Sequence, residues 1–380
     1  MKLSKLHLTK ASLAVGASFI PSAFGFTEFA RGNLVANASL VSSYDTNIFG
    51  NSSEVDDFNA TFSPGLSYLR DAGNLSVSIE SGVSAVSFAD SSSQDSVDPF
   101  LNTTLNLDRA EKGSATVSLG YTRSTEANNL LLARTQSDEY RSSGRVNYFY
   151  SEKTGIRVDA NFRRSEYNTF GYNSISSYGL GGGLIYRYSS KLTASATYDF
   201  SPEKAINLAG PLSDPSSKNH RFAFGLEGQL APKLNGSVSL GYAYRSFDLG
   251  GSDDTALLGV DLLWNPVEKS SFTLSASNNF DTTAGAESAR ILDVSLGGRQ
   301  ALTEKLVLGG SLGYQHSQID QKPGPVSRSD DAYLLGVSLS YALNDNWSTN
   351  AGITHRLNKS SIALGDYVRT VVSAGVNLSF

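Results

Sequence analysis

The final segment of the chain, residues 367–380, alternates between two kinds of residue with a period of two. Counting back in twos from Phe380 gives a mostly apolar set: Leu378, Val376, Ala374, Val372, Thr370 and Val368. The intervening set is smaller and more polar: Ser379, Asn377, Gly375, Ser373 and Val371. Such alternation is typical of a β-strand with one apolar and one polar face.

Similar segments recur along the chain, separated by short turns and longer polar loops. The turns, rich in Gly, Pro, Asn and Asp, lie at 71–74, 110–113, 152–155, 189–191, 232–235, 266–269, 303–305 and 344–346. The loops lie at about 45–56, 90–96, 125–137, 170–175, 202–217, 249–253, 283–288, 320–329 and 358–365. Eight turns alternating with nine loops predict about 18 strands (16–18), with both chain ends on the turn side.

The strands and their aromatic residues predict an all-β fold, a single transmembrane antiparallel β-barrel. In residues 156–163, Ile156, Val158 and Phe162 alternate with Arg157 and other polar residues. Tyr and Trp residues collect beside the short turns, and a second set collects near the opposite strand ends, as in the two aromatic girdles of a membrane barrel. A soluble sandwich also alternates, but it seldom holds this many strands as one domain. Pro64 and Pro99, inside strand-like runs, make the strand count less secure there.

The N-terminus reads as a secretory signal peptide, residues 1–25. Lys2, Lys5 and Lys10 precede a short apolar core, and small residues before and at Gly25 fit a cleavage site. The predicted organisation is therefore a signal peptide, 1–25, and an outer-membrane β-barrel, 26–380. Export of a β-rich chain indicates the outer membrane of a Gram-negative cell. The terminal Phe380 also resembles the signal by which such barrels are handed to the barrel-assembly machinery.

Composition excludes several other classes of function. The chain has no Cys, which removes disulfides and thiolate chemistry. Its net charge of -5, without a basic cluster, argues against nucleic acid as a partner.

No motif predicts catalysis, a cofactor or a bound metal. Residues 309–313 match Gly-x-Ser-x-Gly, but Ser311 falls in the middle of a predicted strand rather than at a strand-to-helix turn. The mature histidines, His220, His316 and His355, have neither metal-ligand spacing nor an obvious carboxylate partner. Acidic pairs such as Asp330-Asp331 open several strands, and they read either as a solvated rim or as sites for divalent cations that bridge lipopolysaccharide.

The candidate functional surface is the charged lumen of the barrel. The alternation points these charged residues inward: Arg141, Arg145, Arg157, Asp159, Arg163, Arg187, Asp199, Arg221, Glu227, Arg245, Asp261, Asp293, Arg299 and Arg356. Charges facing lipid near the membrane midplane would be costly, and a barrel of this size leaves an aqueous channel. The alternation also points Glu80, Asp108 and Asp281 inward, so nine arginines face eight acidic residues. The signs nearly balance, which predicts little ion preference. Alternatively, these charges only pair across strands and keep the interior hydrated.

The segment Tyr44-Asp45-Thr46-Asn47-Ile48-Phe49 and strands that open on acidic residues, such as Ser329-Asp330-Asp331-Ala332-Tyr333, resemble the family called putative β-barrel porin 2. The likeness is diffuse and covers most of the mature chain. The resemblance implies a bacterial outer-membrane barrel. Members of this family are often linked with exopolysaccharide export, so the resemblance also implies that function, with components of the export machinery as partners.

These observations predict an outer-membrane porin-like channel that passes hydrophilic solute and has lipid and lipopolysaccharide as its surroundings. Assistance to exopolysaccharide export is implied only by the family resemblance. The longest loop, 202–217, has few charges, which favours a wide pore over a charged constriction. The alternatives are a structural or adhesive barrel with a closed lumen and an outer-membrane hydrolase. The hydrolase would need a Ser/His or Asp/His pair at one rim, which the sequence does not provide.

Overall fold

A computed structural model describes residues 27–29, 31–109, 112–169, 171–206, 216–248, 250–284, 287–320 and 327–380. These residues form nineteen β-strands and one short 3-10 turn at Ser92–Gln94. The strands are β1 Thr27–Phe29, β2 Gly32–Asp45, β3 Asp57–Ala72, β4 Leu75–Phe88, β5 Ser96–Asp108, β6 Gly113–Asn128, β7 Ala133–Phe149, β8 Thr154–Tyr167, β9 Ser174–Arg187, β10 Leu192–Ile206, β11 Ser217–Ala231, β12 Leu234–Phe247, β13 Ser252–Val267, β14 Ser270–Thr282, β15 Ser288–Ala301, β16 Leu306–Asp320, β17 Ser327–Ala342, β18 Trp347–Ser360 and β19 Tyr367–Ser379. The predicted signal peptide, 1–25, lies outside the described residues.

The long strands close into a barrel. Each strand from β2 to β19 pairs antiparallel with the next, and β19 returns to pair with β2, for example Ser373 opposite Ser43. The three-residue β1 pairs with the start of β2. The fold is therefore a closed antiparallel barrel of eighteen strands, which confirms the predicted fold class. We call the strand ends joined by short turns the turn side, and the opposite ends the loop side.

The outer surface of the barrel is apolar and carries aromatic rings at both ends. Near the short turns, Tyr150 and Tyr188 are 60% and 73% exposed, and Trp264 and Trp347 are exposed beside them. Toward the loop side, Tyr333 is also exposed on the outer surface. Exposure of so many apolar side chains would be unfavourable in water but is expected where the outer surface of a barrel faces lipid.

Among the residues that the structure describes, no helix is both long and apolar enough to span a membrane.

The strands extend further on the loop side than the sequence predicted. The predicted loop 125–137 is mostly strand, because β6 continues to Asn128 and β7 begins at Ala133. Likewise, β10 runs to Ile206 and β11 begins at Ser217, inside the predicted loop 202–217. Beyond the apolar band a hairpin can be polar on both faces, so the loss of alternation that was interpreted as a loop does not end the strand.

The two prolines inside strands mark places where strand pairing stops. The β5–β6 ladder runs as far as Phe100 opposite Thr122 and ends next to Pro99. In β3, the pairing with β4 is interrupted between Phe62 and Gly65, on either side of Pro64. Proline has no N–H to donate to a ladder, so β6 is free to leave β5 beyond Pro99. At Pro64 the break is local, because β3 and β4 pair again at Phe62 opposite Ala85.

Some strand glycines are required by close contact between backbones. A Cβ atom at Gly241 of β12 would lie 2.0 Å from the carbonyl oxygen of Phe222. A Cβ at Gly144 of β7 would meet no atom within 4 Å. Position 241 therefore has no room for a side chain, whereas position 144 has.

We expect Gly241→Ala to destabilise the barrel by about 1–3 kcal/mol, because the backbone must shift to admit the methyl group. The measurement is the urea concentration at the midpoint of unfolding of the refolded protein. The folded fraction is determined from the change in gel mobility on heating. Gly144→Ala is the matched control and should unfold like the parent protein. Equal midpoints for the two variants would contradict the close contact at Gly241.

Candidate functional site: the barrel lumen

The two faces of each strand separate lipid from lumen. On β8, Ile156 and Val158 are 43% and 45% exposed on the outer surface. On the opposite face, Arg157 contacts Glu227 of β11, with 3.1 Å between Nη2 and Oε2. These two strands are not neighbours in the barrel, so their side chains meet through the interior.

On the turn-side half, the inward charges form pairs between strands. Arg145 Nε lies 2.6 Å from Asp159 Oδ1 on the adjacent strand. Arg157 also donates to Asn147, at 2.8 Å. Because the pairs lie along the wall, they keep the interior polar without adding net charge.

The structure brings most of the predicted lumen residues into one group and leaves a few apart. Arg141 and Arg163 both contact Glu139, Asp199 lies opposite Arg221, and Asp293 accepts a hydrogen bond from Gln315 at 2.9 Å. Arg187 stacks over Phe149 at 3.5 Å, Asp261 lies opposite Ser275, and Arg299 lies opposite Ser271, all toward the turn side. Arg245 and Arg356 lie on the loop side, as described below. The role of these residues in lining a conducting path stays a prediction.

The loop-side half of the lumen is crossed by the end of the β6–β7 hairpin, residues 125–135, which we call tip A. Arg328 of β17 donates to the carbonyl oxygens of Leu130 and Asn129, at 3.0 and 3.3 Å. The Asn129 amide lies 2.7 Å from the Tyr367 hydroxyl and 3.1 Å from the Arg356 guanidinium. Because β17, β18 and β19 are far from β6 and β7 in the strand order, tip A must reach across the interior.

The base of tip A is fixed on the other side of the barrel. Thr125 donates to Asp98 of β5 at 2.7 Å. The Arg134 guanidinium lies over the Phe88 ring at 5.0 Å. Tip A is therefore held at both its base and its end, as a bridge inside the barrel.

A second hairpin end, from β14–β15 (279–284 and 287–289), which we call tip B, folds inward from another part of the wall. The β13–β14 ladder ends at Leu258 opposite Asn278, so the last residues of β14 leave β13. Asn173, which precedes β9, donates its backbone N–H to the Ala284 carbonyl at 2.8 Å. Ala284 and Ala289 are 1% and 0% exposed, so both side chains are fully buried against the rest of the barrel.

Arg245 of β12 is the anchor of tip B. Its side chain is 1% exposed, and Nε donates to Asn219 at 2.6 Å. Nη1 donates to the Asp281 carbonyl at 3.0 Å and to the hydroxyls of Thr282 and Ser288, both at 3.2 Å. Glu203 of β10 supplies the opposite charge at 3.9 Å, and it also accepts from Thr282. One arginine thus joins three separate parts of the wall.

Glu287, at the end of tip B, brings the two tips into the same electrostatic environment. Burial raises the pKa of the Glu287 carboxyl, while a hydrogen bond from Thr283 and the positive charge of Arg328 lower it. Arg328 is the residue that holds tip A, so its charge acts on both hairpin ends.

Beneath tip B lies a polar cavity of about 360 Å³. Strands β8 to β11 form one wall, and β14 and β15 form the other. Its charged lining residues are Arg163, Arg221, Glu203, Asp281 and Asp293. The Nη1 atom of Arg163 lies 3.6 Å from Asp281 Oδ1 across this space.

The interpretation of 202–217 as evidence for a wide pore is therefore wrong for the loop-side half of the lumen. Two other hairpin ends cross the interior there, and residues 207–215 of the predicted loop lie outside the described residues. The sequence signal for tip A was Pro99, which ends the pairing of β6 with β5. The sequence offered no comparable signal for tip B, because Arg245 and Thr282 look like ordinary strand residues.

The acidic pairs that open strands are split between the two faces of the wall. Asp331 faces outward and accepts from the Tyr314 hydroxyl at 2.7 Å, whereas Asp330 faces inward and pairs with Arg328. Asp138 likewise accepts from Tyr121 at 2.7 Å. No group of three metal-ligating side chains occurs in the part of the chain that the structure describes.

The histidines lie on the outer face, each next to a polar partner. His316 Nδ1 lies 2.9 Å from Asp331 Oδ1, which corrects the expectation that no carboxylate would be near. His220 contacts the Tyr198 hydroxyl at 2.8 Å, and His355 contacts Thr370 at 2.9 Å. Ser311 lies in the middle of β16, with its side chain toward Gly336 on the next strand, so it does not join His316.

Taken together, the fold and this lumen define the chain as a transmembrane β-barrel with a polar, charged interior. Residues 204–380 match the model of the family described as Putative beta-barrel porin 2, which confirms the resemblance found in the sequence. Residues 91–258 also match the model of a family of unknown function, DUF481. No curated protein matches the sequence.

Several solved structures are similar in fold. OpdO of Pseudomonas aeruginosa is 13% identical, with a TM-score of 0.48, and the match covers 92% of this chain and 97% of that chain. OpdL of the same organism is 12% identical, with a TM-score of 0.46 and coverages of 93% and 99%. The siderophore receptor PirA of P. aeruginosa is 11% identical, with a TM-score of 0.45 and coverages of 91% and 80%. These likenesses say nothing about the solute, and nothing in the comparisons supports exopolysaccharide export.

Proposed function

We propose that the mature chain is an outer-membrane channel for small hydrophilic solutes, narrowed on the loop side by tips A and B. The observation that carries the proposal is the contrast between an apolar outer band and a polar interior with paired charges. The predicted signal peptide and the aromatic girdles support the membrane location. The mechanism is passive passage, and no residue is assigned a catalytic role.

The proposal does not extend to exopolysaccharide export. A flexible polymer needs a continuous wide passage, whereas the side chains of β17 to β19 meet tip A in the middle of the lumen. A structural or adhesive barrel is the second candidate, because bulky side chains such as Phe88 and Phe280 are buried on the loop side. Ion conductance of the refolded chain in a lipid bilayer would distinguish the channel from a structural or adhesive barrel.

Charge reversal on one strand tests the channel. Arg157 and Arg164 both lie on β8, but Arg157 faces inward to Glu227, while Arg164 pairs with Glu166 on the outer face. We expect Arg157→Glu to shift the reversal potential in a salt gradient toward cation preference, because it adds negative charge beside Glu227 and Asp159.

Arg164→Glu is the matched control, with the same change of charge on the opposite face, and its reversal potential should equal that of the parent. The measurement is made on the refolded chain in planar bilayers. Equal shifts from both variants, or no shift from Arg157→Glu in a conducting protein, would contradict passage of ions past Arg157.

A further inference from the structure

The cavity beneath tip B has the size and lining of a solute site. Its volume of about 360 Å³ is near the lower end of the roughly 300–1,000 Å³ typical of small-molecule pockets. It lies on the route through the lumen that the proposed function requires. A small solute that enters from the turn side would therefore meet this cavity at the narrowing.

Most charged groups in the cavity already have protein partners. Arg163 is shared between Glu139 at 2.8 Å and Asp281 at 3.6 Å. Glu203 is held by Arg245 and Thr282, and Asp293 accepts from Gln315. The lining carries two guanidinium groups against three carboxylates, so a net anion would meet more repulsion than attraction.

Arg221 is the exception. It is half-buried, and among the described residues no hydrogen-bond acceptor reaches its Nε atom. Its nearest charge is Asp199 on the neighbouring strand, directly opposite in the register. The Nε atom is itself shielded from the cavity. A guanidinium has five donors in a fixed plane, so the terminal Nη groups of Arg221, which lines the cavity, are the donors that it can offer to a solute.

Carboxylate acceptors lie across the cavity from these donors, and an aromatic ring borders the space. The carboxylates of Asp281 and Asp293 line the β14–β15 wall, and the half-buried ring of Tyr167 lines the wall formed by β8 to β11. Adjacent hydroxyl groups on a ring can donate to a carboxylate and accept from a guanidinium at the same time. The C–H faces of such a ring pack on aromatic side chains without needing a charge.

We infer that the cavity beneath tip B is a binding site for a small neutral polyhydroxylated solute, of the size of one or two sugar rings. Arg221 donates to its hydroxyl groups, and Asp293 accepts from them. This inference rests on the proposed function for access to the site, but not for binding itself. Two independent measurements therefore distinguish a failure of the site from a failure of the channel.

Binding is measured by saturation-transfer NMR on the refolded full mature chain in detergent, which does not require conduction. The probes are glucose, trehalose and gluconate, the open-chain anion in which C1 of glucose is oxidised to a carboxylate. We expect saturable binding of glucose and trehalose and several-fold weaker binding of gluconate. Tighter binding of gluconate, or no saturable binding of either neutral sugar, would overturn the inference.

Variants test the assigned residues. Arg221→Gln should weaken sugar binding about tenfold, the usual effect of losing a hydrogen bond from a charged group. Thermal stability should fall only modestly, because Arg221 Nε has no hydrogen-bond partner among the described residues and the main loss is the attraction to Asp199 on the neighbouring strand. Asp293→Asn should weaken sugar binding while strengthening that of gluconate, because it removes a repulsive charge.

Arg164→Gln, on the outer face of β8, is the control and should bind sugar like the parent. Unchanged sugar binding in Arg221→Gln would overturn the assignment. A protein that binds sugar in detergent but does not conduct in bilayers would contradict the proposed channel and leave the site intact. A conducting protein without saturable sugar binding would contradict the site alone.

Discussion

Replacing Arg245 with alanine is expected to produce both the largest loss of stability and a clear increase in conductance. The arginine is 1% exposed and holds Thr282 and Ser288 of tip B against β10 and β11. Its removal leaves the Glu203 carboxylate buried without its cation, which typically costs about 3–5 kcal/mol. The freed tip no longer narrows the lumen, so each channel should pass more current.

The measurements are the urea midpoint and the single-channel conductance of the refolded variant. Thr282→Val removes only one of the contacts between Arg245 and tip B, so it should lower stability and raise conductance by smaller amounts. This variant keeps the test valid if Arg245→Ala does not refold. Arg290→Ala on the outer face of β15, where the arginine pairs with Asp320 at 3.6 Å, is the control. A stable Arg245→Ala protein with the conductance of the parent would contradict the anchoring of tip B.

Shortening tip A is the second change with a large expected effect. Replacing residues 126–134 with a two-residue Asn-Gly turn removes the segment that reaches Arg328, Arg356 and Tyr367. Because that segment crosses the interior, we expect the conductance to rise severalfold. Stability should fall only modestly, since the strand pairing below residue 125 is retained.

A loop of similar position but without contacts across the lumen supplies the control. Replacing 361–366 with the same Asn-Gly turn removes contacts only to neighbouring strands, such as the bond from Asn358 to Gly365. Conductance should then remain at the parent value. An equal rise in both variants would show that loss of any loop, rather than of the bridge, opens the channel.

The strand count and the two faces could be predicted from the sequence because they depend on local patterns. In residues 367–380, every outward position from Val368 to Phe380 followed from the alternation alone. The same period placed Arg157 and Asp159 opposite Ile156 and Val158, and the aromatic residues marked the strand ends. Such features need only neighbours along the chain and along the strand.

The loop-side arrangement could not be predicted in this way, because it depends on contacts between residues far apart in the sequence. Asn129 meets Tyr367 across 238 positions, and Arg328 meets Leu130 across 198. Neither Asn129 nor Arg328 belongs to a periodic pattern or a motif. Pro99 gave a local reason for β6 to leave the wall, but the direction in which tip A then folds is set by Arg328 and Arg356.

The same reasoning explains the error about the wide pore. The sequence predicted the pore from the length and charge of the longest loop, 202–217. In the structure the narrowing is built from hairpin ends that overlap two other predicted loops, 125–137 and 283–288. Loop length alone does not say whether a segment folds inward, since this depends on a partner inside the barrel such as Arg245.

Single-channel recording of the refolded mature chain in planar bilayers tests the central claim most directly. The account predicts a steady conductance from a heat-modifiable barrel, and a larger one when tip A is shortened. Absence of conductance from both the parent and the shortened protein, each correctly folded, would contradict a channel and favour the structural or adhesive barrel.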